Sequence, residues 1–249
     1  GSSSSVGPEF TYQWTTPDGN IVAGDDSLTP TIDNPGTYQL EITNTINGCV
    51  ESASVTITED VTLPVADAGA TATLTCATTE VALDGSASSS GNAFSYQWST
   101  PDGNIVSGGN STAPVIDAPG TYEILVTNTD NLCESTAQVV IDEDVVAPVA
   151  DAGPSFELDC GTVSVTLDGS NSSSGAEFIY SWNTQDGNIL GATDLVNAEI
   201  NAAGTYTLTV ENTLNGCISS ADVIVTLDAD APQADAGVAQ TLTCAVTEV

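Results

Sequence analysis

The chain has 249 residues, 34 of them Asp or Glu, with no Lys, Arg, His or Met and a formal net charge of −34. No cationic side chain is present to clamp phosphate, so nucleic-acid binding and adhesion to an anionic membrane are excluded, and most general-base and nucleophile-activation schemes lack their parts. Hydrophobic residues make up 40%, which is enough for packed cores rather than a disordered acidic tail. No apolar run approaches the ~18 residues of a membrane-spanning helix. The start has neither Met nor a signal peptide, as expected of a piece of a longer chain.

A step of 84 residues organises the sequence. It separates Trp14, Trp98 and Trp182; Cys49, Cys133 and Cys217; Cys76, Cys160 and Cys244; Tyr38, Tyr122 and Tyr206; and Pro64, Pro148 and Pro232. Such a unit is too long for a solenoid repeat and fits a small β-sandwich domain strung in tandem. The phase predicts a repeat lacking its first strands at 1–63, complete repeats at 64–147 and 148–231, and the start of a further repeat at 232–249.

Taken in order, one repeat opens with strands at 74–76 and 81–84. Phe94-Ser-Tyr-Gln-Trp98 then alternates, placing Phe94, Tyr96 and Trp98 on one face. Pro101-Asp-Gly-Asn104 makes a tight turn, with glycine expected to supply positive φ. Pro119-Gly-Thr-Tyr122 turns a corner into the strand 122–127. Asn131-Leu-Cys133 is a hairpin tip, with equivalents Asn47-Gly-Cys49 and Asn215-Gly-Cys217, and 137–141 is the last strand. Helical periodicity is absent, so the expected class is all-β.

A single Trp on the third strand and a Tyr after a Gly corner are immunoglobulin-sandwich features. The run Pro148-Val-Ala-Asp-Ala-Gly-Pro154, with Val165-Thr-Leu-Asp-Gly-Ser170, Tyr180-Ser-Trp182 and Gly204-Thr-Tyr206, resembles PKD-like and related Ig-like bacterial surface domains. The cation-free composition and the added Cys pair resemble long arrays in giant secreted surface proteins of gliding Bacteroidota-type bacteria. That resemblance implies tandem Ig-like sandwiches, export to the cell surface, and a role in an adhesin or an appendage such as a grappling-hook-like fibre.

Two cysteines per repeat at fixed phase read as disulfides of an extracellular protein. The first expectation is pairing within a repeat, Cys76–Cys133 and Cys160–Cys217, each closing 57 residues for about 4 kcal/mol at most; Cys49 and Cys244 then have partners outside the fragment. If the immunoglobulin topology holds strictly, the two cysteines of a repeat lie at opposite ends and Cys76 reaches Cys217 of the next repeat instead. Pairs 27 residues apart, such as Cys49–Cys76, and free thiols are further alternatives. Two thiols and no His do not make a zinc site.

Carboxylates gather where repeats join. Asp60, Asp67, Asp144, Asp151, Asp228 and Asp235 are candidate Ca²⁺ ligands, against the alternative of solvated charges that keep an acidic fibre soluble. Asp18, Asp102 and Asp186 read as turn residues. Trp14, Trp98 and Trp182 read as core rather than a sugar platform, and Tyr38, Tyr122 and Tyr206 as corner ties. Asn110-Ser-Thr and Asn171-Ser-Ser fit glycosylation acceptors. A paired-carboxylate hydrolase is compatible with the composition, but a site repeated in register argues against an enzyme.

The absent residues read as adaptation to a salty, protease-rich exterior. Trypsin-type sites and Met oxidation targets are missing, and in seawater-like salt the Debye length falls to about 4 Å. The expected function is the structural shaft of a long extracellular fibre, with copies of itself in a homo-oligomeric filament as partners. The alternatives are a weak, repeated glycan-binding module and the stalk of a secreted hydrolase.

Overall fold

The structure, a computed structural model, describes residues 3–230, 233–239 and 244. The boundary at 232 and most of 232–249 lie outside the described residues. Those described form strands and no helix. The first set is β1 (Phe10–Thr15), β2 (Ile21–Ala23), β3 (Thr31–Ile32), β4 (Gly36–Asn44) and β5 (Val50–Ile57). The second is β6 (Ala72–Thr75), β7 (Val81–Ala82), β8 (Phe94–Ser99), β9 (Ile105–Ser107), β10 (Val115–Ile116), β11 (Gly120–Asn128) and β12 (Glu134–Asp144). The third is β13 (Phe156–Leu158), β14 (Val165–Asp168), β15 (Phe178–Thr184), β16 (Ile189–Leu190), β17 (Asn197–Ile200), β18 (Gly204–Asn212) and β19 (Cys217–Leu227).

The chain forms two compact units, residues 1–66 with 88–95 and 125–136, and residues 67–87 with 96–124 and 137–249. In the first, an antiparallel sheet runs β1-β4-β5 and a small sheet pairs β2 with β3. Trp14, Tyr38 and Leu40 form its buried core, with Tyr12, Ile21, Ile32 and Ile42 packed around them.

The second unit holds a full sandwich. One sheet runs β13-β19-β18-β15 and the other β14-β17-β16. Period-2 alternation turns Trp182, Tyr206, Leu208, Val210, Val223 and Val225 into one core between the sheets. Burying each such side chain contributes roughly 1.5–3 kcal/mol. The first strand pairs in parallel with the last, Phe156 with Val225 and Leu158 with Leu227, while the other pairings of this sandwich are antiparallel. The same unit holds β7-β10-β9, and β6 runs parallel to the end of β12, Ala72 against Ile141 and Thr75 against Asp144. The chain is thus an all-β tandem of immunoglobulin-like sandwiches.

A hydrogen-bonded corner recurs three times. Tyr206 Oη donates to the Ala202 carbonyl at 2.6 Å and accepts the Asn188 N–H at 3.0 Å. Asp186 Oδ1 accepts the Thr205 N–H at 2.8 Å, and Thr184 Oγ1 donates to the Thr205 carbonyl at 2.8 Å while accepting the Gly187 N–H at 2.9 Å. Tyr38 and Tyr122 make the corresponding bonds to Asn34 and Ala118, each at 2.6 Å. The Asp-Gly turn therefore differs from its sequence-based reason. Its glycines 19, 103 and 187 are not at positive φ; they are needed because the tyrosine ring lies where a Cβ would stand.

Positive φ falls instead on the corner glycine. Gly120 has φ 153°, and a Cβ there would lie 2.9 Å from the Gly103 backbone nitrogen. Gly120→Ala should destabilise the fold by about 1–3 kcal/mol, the scale of a strained backbone site, read as a lower urea midpoint at unchanged slope. An unchanged midpoint would remove the corner from the account.

Candidate functional site: a weld between consecutive repeats

The hairpin between β18 and β19 ends in a tip that is stiff before it touches anything. The Gly216 N–H closes onto the Asn212 carbonyl at 2.7 Å with Gly216 at φ 69°. Asn215 Oδ1 accepts the Cys217 N–H at 3.0 Å. Asn215 is only 1% exposed, so each of its polar atoms needs a partner. Its Nδ2 donates to Asp144 Oδ1 at 3.0 Å and to the Val146 carbonyl at 3.1 Å. Its own carbonyl accepts the Ala77 N–H at 3.2 Å. Beside it Cys76 and Cys217 form a disulfide with S–S 2.02 Å across a sequence separation of 141. One covalent bond and a satisfied buried amide thus fix the tip of the third repeat to the start and end strands of the second.

This corrects the expected pairings Cys76–Cys133 and Cys160–Cys217, neither of which forms. The reason is strand direction. Cys160 follows β13, whose last residue Leu158 pairs with Leu227, and its thiol donates to the Asp228 carbonyl at 3.2 Å. Cys217 opens β19, ten residues back along the same strand. At about 3.3 Å per residue they are separated by roughly 33 Å, far beyond disulfide reach. Cys76 likewise follows Thr75, which pairs with Asp144 at the end of β12. The 27-residue alternative is not formed either: Cys49, Cys133, Cys160 and Cys244 carry free thiols.

Part of the joint recurs in the first unit. Asn131 Nδ2 donates to the Thr62 carbonyl at 3.0 Å, and Asn131 Oδ1 accepts the Cys133 N–H at 2.9 Å. Leu132 takes the place of the tip glycine and sits at φ 62°, the one non-glycine at positive φ among the described residues. The docking role of Asn131 and Asn215 was not extracted from sequence, although Asn two residues before Cys recurs in all three tips.

The six joint aspartates share one local geometry. Each accepts the backbone N–H two residues on: Asp60 from Thr62 (3.0 Å), Asp67 from Gly69 (2.7 Å), Asp144 from Val146 (3.3 Å), Asp151 from Gly153 (2.8 Å), Asp228 from Asp230 (3.0 Å) and Asp235 from Gly237 (2.7 Å). These are Asx turns that shape the linker. Among the described residues no three His, Cys, Asp or Glu side chains converge closely enough to hold a metal ion.

Hydrogen bonding also moves acidities. The Thr62 backbone N–H, then its hydroxyl and the Asn131 amide, hold the Asp60 carboxyl below its ordinary value. The Ser86 and Ser170 side chains, then their backbone N–H groups, do the same for Asp84 and Asp168.

The tryptophans sit inside, at 8%, 5% and 2% exposure for Trp14, Trp98 and Trp182. Each indole N–H is used, donating to the carbonyls of Ser27 (2.9 Å), Ser111 (2.9 Å) and Val196 (3.3 Å). Tyr38, Tyr122 and Tyr206 are 1% exposed or less.

Three outcomes follow from this geometry. The double variant C76S/C217S should lose up to about 5 kcal/mol, the chain-entropy value for so long a loop, in denaturant unfolding under oxidising conditions. Leu132→Gly should raise stability by about 1 kcal/mol, because it removes the side chain from a left-handed position. A depressed carboxyl pKa contributes stability above the ordinary value of 3.8 and loses it as pH falls through the lower folded value. Asp168→Asn should therefore lose less Tm than the parent between neutral pH and pH values below the folded pKa; equal losses would contradict the assignment.

Comparison with known proteins fits the repeat. The family model of the PKD domain matches residues 61–142. The dyslexia-associated protein KIAA0319-like protein of Mus musculus is 32% identical over 226 residues, covering 80% of this chain and 21% of that protein. The chain therefore spans about a fifth of the length of this relative. Among solved structures, three N-terminal domains of the bacteriophage RB49 highly immunogenic outer capsid protein are 12% identical at TM-score 0.38, covering 90% of this chain and 91% of that one. Extracellular domains 3–5 of Drosophila OTK are 14% identical at TM-score 0.33, covering 88% and 86%. Residues 61–142 thus match the PKD domain, within a chain whose described residues form a tandem of immunoglobulin-like sandwiches.

Proposed function

We propose that the chain is a stretch of the shaft of a long extracellular fibre or surface adhesin, without catalytic activity, whose task is reach and mechanical durability. Its cysteines, acidity and repeat pattern fit export and the giant surface arrays of gliding Bacteroidota-type bacteria, in an appendage used for attachment or prey capture. Its partners on this reading are further copies of itself, and any target is gripped by other parts of the parent protein.

The observation that carries the reading is the Cys76–Cys217 weld. A disulfide inside one sandwich stiffens that sandwich; one that spans two repeats removes the hinge between them. It also takes the residues between Cys76 and Cys217 out of the covalent path of a pulling force. The glycan-binding alternative asks for an exposed aromatic platform, and the three tryptophans are buried.

Single-molecule pulling from the two ends tests this. Under oxidising conditions the residues between Cys76 and Cys217 should add no contour length. Reductant should release a further length of roughly 500 Å, at about 3.5 Å per residue over the 141-residue separation. Equal contour lengths with and without reductant would overturn the reading.

A further inference from the structure

The joint dictates the dipeptide at its tip. Residue 216 has to be glycine: it sits at φ 69°, and a Cβ there would press on Ala77 Cβ at 2.5 Å. Residue 215 has to present a donor. Its Nδ2 faces two acceptors, Asp144 Oδ1 at 3.0 Å and the Val146 carbonyl at 3.1 Å. In a chain without Lys, Arg or His, the neutral amide of Asn supplies that donor.

Asn followed by Gly is also the least durable amide pairing in a polypeptide. With no Cβ on the second residue, its backbone nitrogen can reach the Asn side chain. That nitrogen attacks Cγ, a C–N bond forms, and the amide nitrogen leaves as ammonia with the proton that the glycine gives up. One water molecule then opens the five-membered imide at either carbonyl. The product is aspartate or, with the backbone rerouted through Cγ, isoaspartate. No electrons are transferred, and water is the sole co-reactant.

Docking suppresses this step. Asn215 is 1% exposed, so water has little access to it. Its departing nitrogen is tied to two acceptors, and the attacking Gly216 N–H is held on the Asn212 carbonyl at 2.7 Å. Opening the weld removes the burial and the two amide bonds. The product does not fit back. A carboxylate oxygen would stand where Nδ2 stands, facing Asp144 Oδ1 and the Val146 carbonyl, acceptor against acceptor and charge against charge. Isoaspartate would in addition lengthen the turn that the Gly216 N–H closes.

We propose that Asn215 is a masked deamidation site, and that a weld left open long enough to lose this amide is lost for good. The disulfide and the amide protect each other. The closed Cys76–Cys217 bond keeps Asn215 buried, and the intact amide lets the two sulfurs meet. This goes beyond the shaft reading and rests on the weld geometry alone. The pulling experiment reads a bond and this one reads a side-chain amide, so either can fail without the other.

The test ages the oxidised 249-residue chain in mildly alkaline buffer, with and without reductant. Amide loss is followed by mass spectrometry of glutamyl-cleaved peptides. Asn47–Gly48, the same dipeptide with an exposed side chain, is the reference in the same digest. While the disulfide is intact, Asn215 should deamidate about tenfold slower than Asn47, the scale of two hydrogen bonds that opening must break. Reductant should bring the two rates together. Asn215→Asp, the product made by substitution, should lower the equilibrium constant for closing Cys76–Cys217 in a glutathione buffer by about a hundredfold, as an unpaired buried charge does. Asn215→Ala removes the amide without adding charge and should lower it about tenfold. Circular dichroism reports that the sandwiches stay folded in both. Equal rates at Asn47 and Asn215 in the oxidised chain, or a disulfide that closes as readily with Asn215→Asp as with Asn215→Ala, would overturn the proposal.

Discussion

Parallel pairing of a repeat's first strand with its last is the constraint from which the rest follows. It sends both strands toward the same end of the sandwich. The cysteine after the first strand therefore sits where the chain leaves the repeat, and the hairpin cysteine sits where the last strand begins. A sandwich built this way cannot bridge its own two cysteines. Where such a cysteine is bridged, as at Cys76, its partner belongs to the next repeat. The Cys76–Cys217 bond is a consequence of strand direction.

The second constraint is charge. With no Lys, Arg or His, side-chain ion pairs are unavailable, and specificity rests on neutral and carboxylate hydrogen bonds. Threonine and aspartate hold the corner, aspartates fold back on the linker as Asx turns, and a buried asparagine reads the joint. Every buried side-chain N or O among the described residues has a partner. Such bonds lose little to salt, unlike surface ion pairs. A joint built from a buried amide and a disulfide keeps its strength at ionic strengths that would weaken one built from charges.

Much of this was legible in the residues. The 84-residue step, the strand positions and the sandwich class follow from anchor spacing and alternation, since each anchor answers a local steric need. Cysteine connectivity was legible only as alternatives: spacing alone is equally consistent with Cys76–Cys133 and Cys76–Cys217, and the cross-repeat pair that strict immunoglobulin topology requires is the one that forms. The Asp-Gly turn was read correctly in place and wrongly in cause, because φ and ring contact both select glycine. The Asx turns of the joint aspartates were not legible, because composition places the carboxylates at the joints without showing that each accepts a backbone N–H two residues on. Asn215 was overlooked because its value lies in contacts more than 60 residues away in sequence.

Disulfide mapping of the oxidised chain, cleaved at Glu and Asp without reduction, is the decisive measurement. The expected product is a peptide pair containing Cys76 and Cys217. Peptide pairs joining Cys76 to Cys133 and Cys160 to Cys217 would contradict it, and with it the parallel strand register from which the weld was argued.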